Sequence, residues 1–178
     1  GYSSEDGLCL EALPGVFARE QLDIGSRVLL AQPDPGYQGT VCDLGCGNGL
    51  LGLTLAKRHR IEHLILTDDS YLAVRSARHN AEIAGINADV RHGDCLSAVN
   101  ETLDWVVCNP PFHDGHRELT NIATTMFTDS MQRLRQNGRL IVIANRHLPY
   151  LGLLKKLSGS VQSLGKDSRF SVYLCRKG

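Results

Sequence analysis

The 178-residue sequence has no run of 18 apolar residues, so no segment reads as a membrane-spanning helix. Its opening, GYSSEDGLCLEA, lacks the basic and apolar stretches of a secretory leader. The six cysteines, at 9, 42, 46, 95, 108 and 175, form no CxxC pair. Several lie in apolar strand-like runs, where cysteine behaves as a small hydrophobe. These absences leave a reduced, cytoplasmic protein without a disulfide framework as the expectation. Repeats and low-complexity tracts are also missing. Net formal charge is zero, with 19 Lys and Arg against 19 Asp and Glu, which taken alone speaks against a nucleic-acid binder.

Hydrophobic content of 42% and charged content of 21% are ordinary for a water-soluble domain, and the length suffices for one full core. The zero net charge conceals an asymmetry. Residues 130–178 carry ten Lys and Arg against one acid, Asp167, which leaves nine basic and eighteen acidic residues in 1–129. One pole of the folded molecule can thus be basic enough to meet phosphates, although a solvated basic surface fits the same count.

Apolar runs alternate with helical periods. Residues 40–44, 63–67, 87–92, 103–108 and 139–144 read as strands, and three of them (40–44, 63–67 and 139–144) are near-continuously apolar, as strands buried on both faces are. Between them, Leu51 and Leu55 are four apart, Ala73, Ala77, Ala81 and Ala84 share a face, and so do Ala123, Phe127, Met131 and Leu134. Asn137-Gly138 is expected to stop that last helix. Alternation of this kind predicts an α/β fold with a mostly parallel sheet and helices on both faces. After Leu148-Pro149 the rhythm changes to a short helix, 149–157, and two strand-like runs, 160–164 and 169–175, joined at Gly165-Lys166-Asp167-Ser168 as an antiparallel hairpin. Segment 13–32 reads as an irregular lead and a helix capped by Asp23. Nothing before Leu13 looks domain-like, so a single domain over 1–178, cut from a longer protein, is the expectation.

Asp43-Leu44-Gly45-Cys46-Gly47-Asn48-Gly49 closes the first strand and opens a helix. Its glycines admit a ligand against bare main chain. The loop lacks a Gly-Lys-Ser/Thr ending, so it is not a P-loop, and it breaks the G-x-G-x-x-G dinucleotide pattern. Asp43 would repel a pyrophosphate but suits an ammonium group. Asp68, at the end of the second strand, can accept from a ribose hydroxyl pair. Asp94, after the third strand, can accept from an adenine amino group. S-adenosylmethionine has the amine and the ribose and no phosphate. Helix capping competes for Asp68 and an ordinary turn for Asp94, but three acids at successive strand ends beside a glycine loop favour a ligand.

The fourth strand ends on Asn109-Pro110-Pro111-Phe112. Proline stops the strand and leaves carbonyls free to accept. An exocyclic amine on a planar ring has two hydrogens to place: the Asn109 side-chain oxygen takes one and the Pro110 carbonyl the other, while Phe112 stacks on the ring. A base in a duplex has to be flipped out to reach such a corner.

DLGCGNG followed by NPPF resembles the class I S-adenosylmethionine-dependent methyltransferases that act on planar-conjugated nitrogen. VFARE-QLDIGSRVLL, DLGCGNGLLGL, NPPFHDGH and IANRHLPY together resemble the bacterial ribosomal RNA guanine-N2 methyltransferases, over about Leu13 to Arg176. NPPFHDG is similar to the small-subunit (16S) branch; CNPPFH with ANRHL and LKK is more similar to the large-subunit (23S) branch, which is favoured. The resemblance implies a Rossmann-like fold with a seven-stranded, mostly parallel sheet and an antiparallel C-terminal hairpin strand. It implies S-adenosylmethionine as cofactor and ribosomal RNA as substrate. It also implies an N-terminal companion domain and a monomeric enzyme with no membrane partner. By that resemblance Asp43, Gly45, Gly47 and Asn48 line the methionine end, Asp68 takes the ribose and Asp94 the adenine. Asn109, Pro110 and Phe112 hold the guanine, with Asn109 bordering the cofactor as well, and Phe17 and Arg19 cover the cofactor. Core packing competes for Phe17.

His113, Asp114 and His116 invite a metal reading, but no fourth donor is evident and no metal is expected. Arg146 and His147 follow the fifth strand and can meet a phosphate, and Lys155 and Lys156 lie on a wet helix face that RNA can recruit. Rival readings are methylation of adenine N6 or of a protein glutamine amide, a cofactor- or RNA-binding module without catalysis, and, least favoured on the loop spacing, a nicotinamide-dependent dehydrogenase. The first two families commonly carry Tyr where Phe112 stands.

Overall fold

The apolar runs become the centre of a seven-stranded sheet. The computed structural model describes the backbone of residues 2–3, 6–11, 21–111 and 116–178, and the side chains of 6–11, 24–111 and 120–178. In chain order the elements are β1 (Tyr2–Ser3), β2 (Cys9–Leu10), α1 (Gln21–Leu30), β3 (Gly39–Leu44), α2 (Leu50–Arg58), β4 (Ile61–Asp68), α3 (Tyr71–Ala84), β5 (Ala88–His92), β6 (Leu103–Cys108), α4 (His116–Arg133), β7 (Leu134–Asn145), α5 (Tyr150–Leu157), β8 (Ser160–Lys166) and β9 (Phe170–Arg176). The large sheet runs β5-β4-β3-β6-β7-β9-β8, and β1 and β2 form a separate two-stranded ribbon. Pairs β5–β4, β4–β3, β3–β6 and β6–β7 are parallel. β9 is antiparallel to both β7 and β8.

Alternation along each strand assigns the two faces. Cys42, Leu44, Val106, Cys108, Leu140 and Val142 face Ala123, Phe127 and Met131 of α4 and Tyr150 and Leu154 of α5. Val41, Trp105, Val107, Ile141 and Ile143 face Leu29 of α1 and Leu51 and Leu55 of α2. Leu64, Leu66 and Val90 pack against Val74, Ala77 and Ala81 of α3. The alanine spacing of α3 works because small side chains let its backbone lie close to the sheet. Ser70 caps this helix, its Oγ accepting from Ala73 N–H, and Gly85, at φ 65°, ends it.

Three sequence expectations move. Asp23 is not the cap of the first helix; it lies inside α1, which includes Gln21 and Leu22, both good helix formers with nothing to break the turn before Asp23. Asn137-Gly138 does not stop α4, which ends at Arg133. The pair falls within β7, where Asn137 takes a left-handed φ of 63°. The register with β6 jumps there from Leu103↔Leu134 to Trp105↔Arg139, so the extra residues are absorbed as an irregularity. The opening segment, in which nothing looked domain-like, also packs into the core. Leu8 is 3% exposed and Leu10 fully buried against α3, and burial of one such leucine stabilises by about 1.5–3 kcal/mol. The C-terminal hairpin forms as expected, with Gly165 inside β8 at a register shift.

Candidate active site

Because β3, β4, β5, β6 and β7 are parallel, their C-terminal ends form one rim. Leu44 pairs with Thr67 on one side and Cys108 on the other, and Asp68 pairs with His92. Chain order reverses at β3, with β4 on one side and β6 on the other. Such a switch point leaves a crevice above the strand ends, where open α/β sheets bind ligands.

The glycine loop sits over this crevice. Gly45, Gly47 and Gly49 have φ of 73°, 54° and 87°, a left-handed succession that side chains would strain. Gly45 and Cys46 N–H both donate to the Thr67 carbonyl at 2.9 and 3.0 Å, which pins the loop to the end of β4. Gly47 N–H donates to Asp68 Oδ2 at 2.9 Å, and Ser70 N–H donates to Asp68 Oδ1 at 2.9 Å. Asp68 thus clasps the loop to the start of α3. Ser70 does the helix capping that competed for Asp68. Burial raises the Asp68 carboxyl above its ordinary range, the two backbone donors oppose this, and Asp69 adds to it.

Asp43 is turned under the loop. It is 2% exposed, and its Oδ2 accepts from Gly52 N–H at 2.9 Å, in the first turn of α2. Burial pushes its carboxyl up to about 7; the Gly52 hydrogen bond works against this and the Asp68 charge adds to it. A group poised there is ionised by a nearby cation. Asn48 closes the loop, its Oδ1 accepting from Leu50 N–H at 3.2 Å. The start of α2 carries no acidic residue and no side-chain cap.

Asp94 is exposed in the turn after β5. Gly93 N–H donates to the Asp68 carbonyl at 3.0 Å, so this turn is tied to the Asp68 clasp. Arg91 pairs with Asp89 and Glu101 at 2.6 Å each and donates to the Ala98 carbonyl at 3.1 Å, bracing the turn from behind. None of the cysteines on this side is a thiolate at neutral pH: burial pushes the thiols of Cys42, Cys46 and Cys108 well up, and that of Cys95 up to about 12.

Asn109 is the anomaly of the rim. It is 7% exposed, and neither Oδ1 nor Nδ2 has a hydrogen-bond partner among the described residues. A buried carboxamide left unpaired costs about 1–3 kcal/mol for each group, so such a side chain calls for a ligand or a water. Pro110, beside it, is buried, and Pro111 is exposed. Gly25 of α1 makes room for the amide: a Cβ there would stand 3.0 Å from Asn109 Nδ2 and 3.3 Å from Ile143 Cγ2. Gly25 is not legible in the sequence, because neither spacing nor residue type announces a partner so far along the chain; the brace of Arg91 with Asp89, Ala98 and Glu101 is local, but nothing sets it apart from a solvated charge cluster. A glycine in the middle of an otherwise sound helix was the available signal.

The fold therefore gathers Asp43, Gly45, Gly47, Asn48, Asp68, Asp94, Asn109 and Pro110 along one rim. Phe17, Arg19 and Phe112 lie outside the described residues, as do His113 and Asp114 and the side chain of His116. Among the described residues no three His, Cys, Asp or Glu side chains are placed to hold a metal ion. Arg146, exposed, follows β7; its N–H bonds to the Arg169 carbonyl at 2.9 Å and its Nη1 donates to the Asp167 carbonyl at 3.0 Å, which joins it to the β8–β9 turn. His147 is exposed at the same end, and Lys155 and Lys156 are exposed on α5.

An open α/β sheet with a glycine loop at its switch point and acids at successive strand ends defines the Rossmann-like class of nucleotide-cofactor domains. The chain belongs to the methyltransferase small domain family, whose sequence profile matches residues 7–174. It is 39% identical over 172 residues to the ribosomal RNA small subunit methyltransferase C of Sodalis glossinidius, covering 97% of this chain and 49% of that protein. It is 40% identical over 173 residues to the ribosomal RNA large subunit methyltransferase G of Shewanella amazonensis, covering 94% of this chain and 45% of that one. The chain thus spans about half the length of the curated relatives it matches. Among solved structures it is similar to the T. thermophilus 16S rRNA N2 G1207 methyltransferase in complex with AdoMet and guanosine, with a TM-score of 0.78, 28% identity, and coverage of 94% of this chain and 46% of that one.

Proposed function

We propose that this domain transfers a methyl group from S-adenosylmethionine to the exocyclic N2 of a guanine in ribosomal RNA. The observation that carries the proposal is the buried carboxamide of Asn109, without a hydrogen-bond partner among the described residues, at a strand end beside the glycine loop. A planar amine offers two N–H donors; Asn109 Oδ1 and the Pro110 carbonyl are the acceptors that orient its lone pair.

The loop residues fit the sulfonium cofactor better than a phosphate-bearing one. Gly45 and Gly47 leave bare main chain, no lysine enters the loop, and Asp43 lies buried with a carboxyl poised for a cation. Bound there, the cofactor supplies an electrophilic methyl group. Asp43 and Asn48 border its amino-acid end, Asp68 and Asp94 its ribose and adenine, and Phe17 and Arg19 cover it. The work of the chain at the transfer is positional: Asn109 and Pro110 hold the amine in line and accept the charge that grows on its hydrogens, and Phe112 stacks on the base. An amine held there would take the methyl group that the bound cofactor would supply and would give up one proton to solvent. Neither a thiolate nor a metal is needed.

The basic residues support an RNA substrate. β7 lies next to β6, and β9 next to β7, so Arg146, Arg169 and Lys166 follow the rim outward from Asn109. The acids lie on the other side of Asn109, at β3, β4 and β5. A phosphate backbone has a path on one half of the rim and the cofactor a seat on the other. An N-terminal companion domain, for which the longer relatives have the length, supplies further RNA contacts, and the enzyme works as a cytoplasmic monomer. The small- and large-subunit relatives match at 39% and 40% identity; 23S RNA, favoured by CNPPFH with ANRHL and LKK, is the first substrate to test. Mass-spectrometric mapping of guanines in rRNA from cells with and without the full-length gene should locate one N2-methylguanosine that disappears. Asn109→Ala should abolish that product and keep S-adenosylmethionine binding in calorimetry. An unchanged rRNA map, or a methylated adenine or protein, would overturn the reading.

A further inference from the structure

Outside the rim, α3 grips the opening segment of the chain and reaches through to the glycine loop. Asn80 is fully buried. Its Oδ1 accepts from Glu11 N–H at 2.7 Å, and its Nδ2 donates to the Glu11 carbonyl and to the Asn48 carbonyl, each at 2.8 Å. Only one orientation of the amide satisfies two carbonyls and one N–H, so its assignment follows from the partners. Ser76 Oγ also donates to the Glu11 carbonyl at 2.9 Å, and His79 Nε2 lies 2.9 Å from Glu11 Oε2. Residues 76, 79 and 80 stand at i, i+3 and i+4, one stripe of α3, and all three converge on Glu11. Behind Glu11, Leu8 and Leu10 are buried against the same helix.

One buried carboxamide therefore spans two segments that are far apart in sequence, the lead at Leu8–Glu11 and the loop at Asn48. Buried networks of this kind hold as a unit, because each member that leaves strands the others. We propose that Asn80 is a positioning residue that couples the Leu8–Glu11 segment to the glycine loop, so that seating the segment sets the loop for its ligand and a ligand in the loop seats the segment. The second half rests on the loop being the cofactor site, and linkage makes the two directions equal in size.

The test uses Asn80→Asp, which keeps the shape and an acceptor for Glu11 N–H but loses both donors. In the ligand-free protein, hydrogen exchange should quicken together at residues 8–11 and 47–49. S-adenosylmethionine Kd should rise about tenfold, within the roughly 5–150-fold range of typical site coupling. Ser76→Ala with His79→Ala, which touches only Glu11, should weaken the cofactor alone but add nothing to Asn80→Asp, the signature of a shared route. Leu154→Ala, a core change on α5 across the sheet from α3, should lower Tm with Kd unchanged. Additive effects, an equal Kd shift in Leu154→Ala, or exchange that quickens in only one of the two segments would overturn the proposal. If the wild-type protein fails to bind S-adenosylmethionine, the cofactor reading falls, and the ligand-free exchange pattern still decides the coupling.

Discussion

Gly25→Ala separates stability from chemistry in one methyl group. The new Cβ would stand 3.0 Å from Asn109 Nδ2, 3.3 Å from Ile143 Cγ2 and 3.6 Å from Asn109 Cγ. Ordinary carbon–nitrogen contact begins near about 3.4 Å, so the amide or the helix must yield by a few tenths of an ångström. Within α1 the replacement gains about 1 kcal/mol of helix propensity, and crowding of the amide costs about 1–3 kcal/mol. These nearly cancel, and for a chain of this size 1 kcal/mol moves Tm by about 2–4 °C. Catalysis is less forgiving. A reactive group misplaced by 1 Å costs roughly 100-fold, so a shift of part of an ångström should lower single-turnover methyl transfer by about tenfold. Cofactor Kd should stay within about twofold, because Gly25 does not touch the glycine loop. Tritium transfer from labelled S-adenosylmethionine to rRNA, with calorimetry and thermal melts on the same samples, reads all three quantities. Parallel loss of transfer, affinity and Tm would mean that Gly25 serves packing only. Full activity beside an inactive Asn109→Ala would mean that the room left for the amide has no bearing on its alignment.

Asp43, whose carboxyl burial raises from the ordinary carboxylate range to about 7, ties ligand binding to pH. A cationic ligand drives its ionisation, so binding between about pH 5 and 7 should release a proton and binding above about pH 8 should not, as calorimetry in buffers of different ionisation enthalpy will read. The raised pKa favours the folded state below the unfolded value, and this stability is lost as pH rises through about 7. The full effect is on the order of 4 kcal/mol, so Asp43→Asn should raise Tm more at high pH than at low pH while weakening the cofactor. Gly52→Ala should lower Tm by several degrees and impair cofactor binding, because its Cβ would press into Leu66 Cδ2 and come within 3.0 Å of Asp43 Oδ2; overpacking costs about 1–3 kcal/mol, more than the helix gains. Changing Arg146, Lys166 and Arg169 to Gln should flatten the salt dependence of RNA binding by about 0.7 in log–log slope for each phosphate no longer neutralised, with S-adenosylmethionine binding unchanged. An unaltered slope would remove these residues from the RNA path.

The fold and most of the rim were legible in the order of the residues. Three near-continuous apolar runs and the alanine stripe of α3 demand a sheet covered on both faces, and parallel strands then bring Asp43, Asp68, Asp94 and Asn109 to one edge by topology alone. Local signals misled where a distant partner decides. Asn137-Gly138 looks like a helix stop, yet pairing of β7 with β6 claims it for a strand irregularity. Nothing before Leu13 looked domain-like, because two buried residues in a short segment carry no period; Leu8 and Leu10 matter only because α3 lies against them. Sequence by itself determined the parallel strands and the helices between them, their order, and which chemical groups arrive at the strand ends, since periodicity and backbone chemistry act over a few residues. Only the tertiary structure decided what those groups do to one another: that Asp43 is buried under α2, that Asn109, beside Gly25, has no hydrogen-bond partner among the described residues, and that Asn80 binds Glu11 to Asn48. Burial and hydrogen-bond satisfaction are properties of packed neighbours, and most of those neighbours are tens of residues away along the chain.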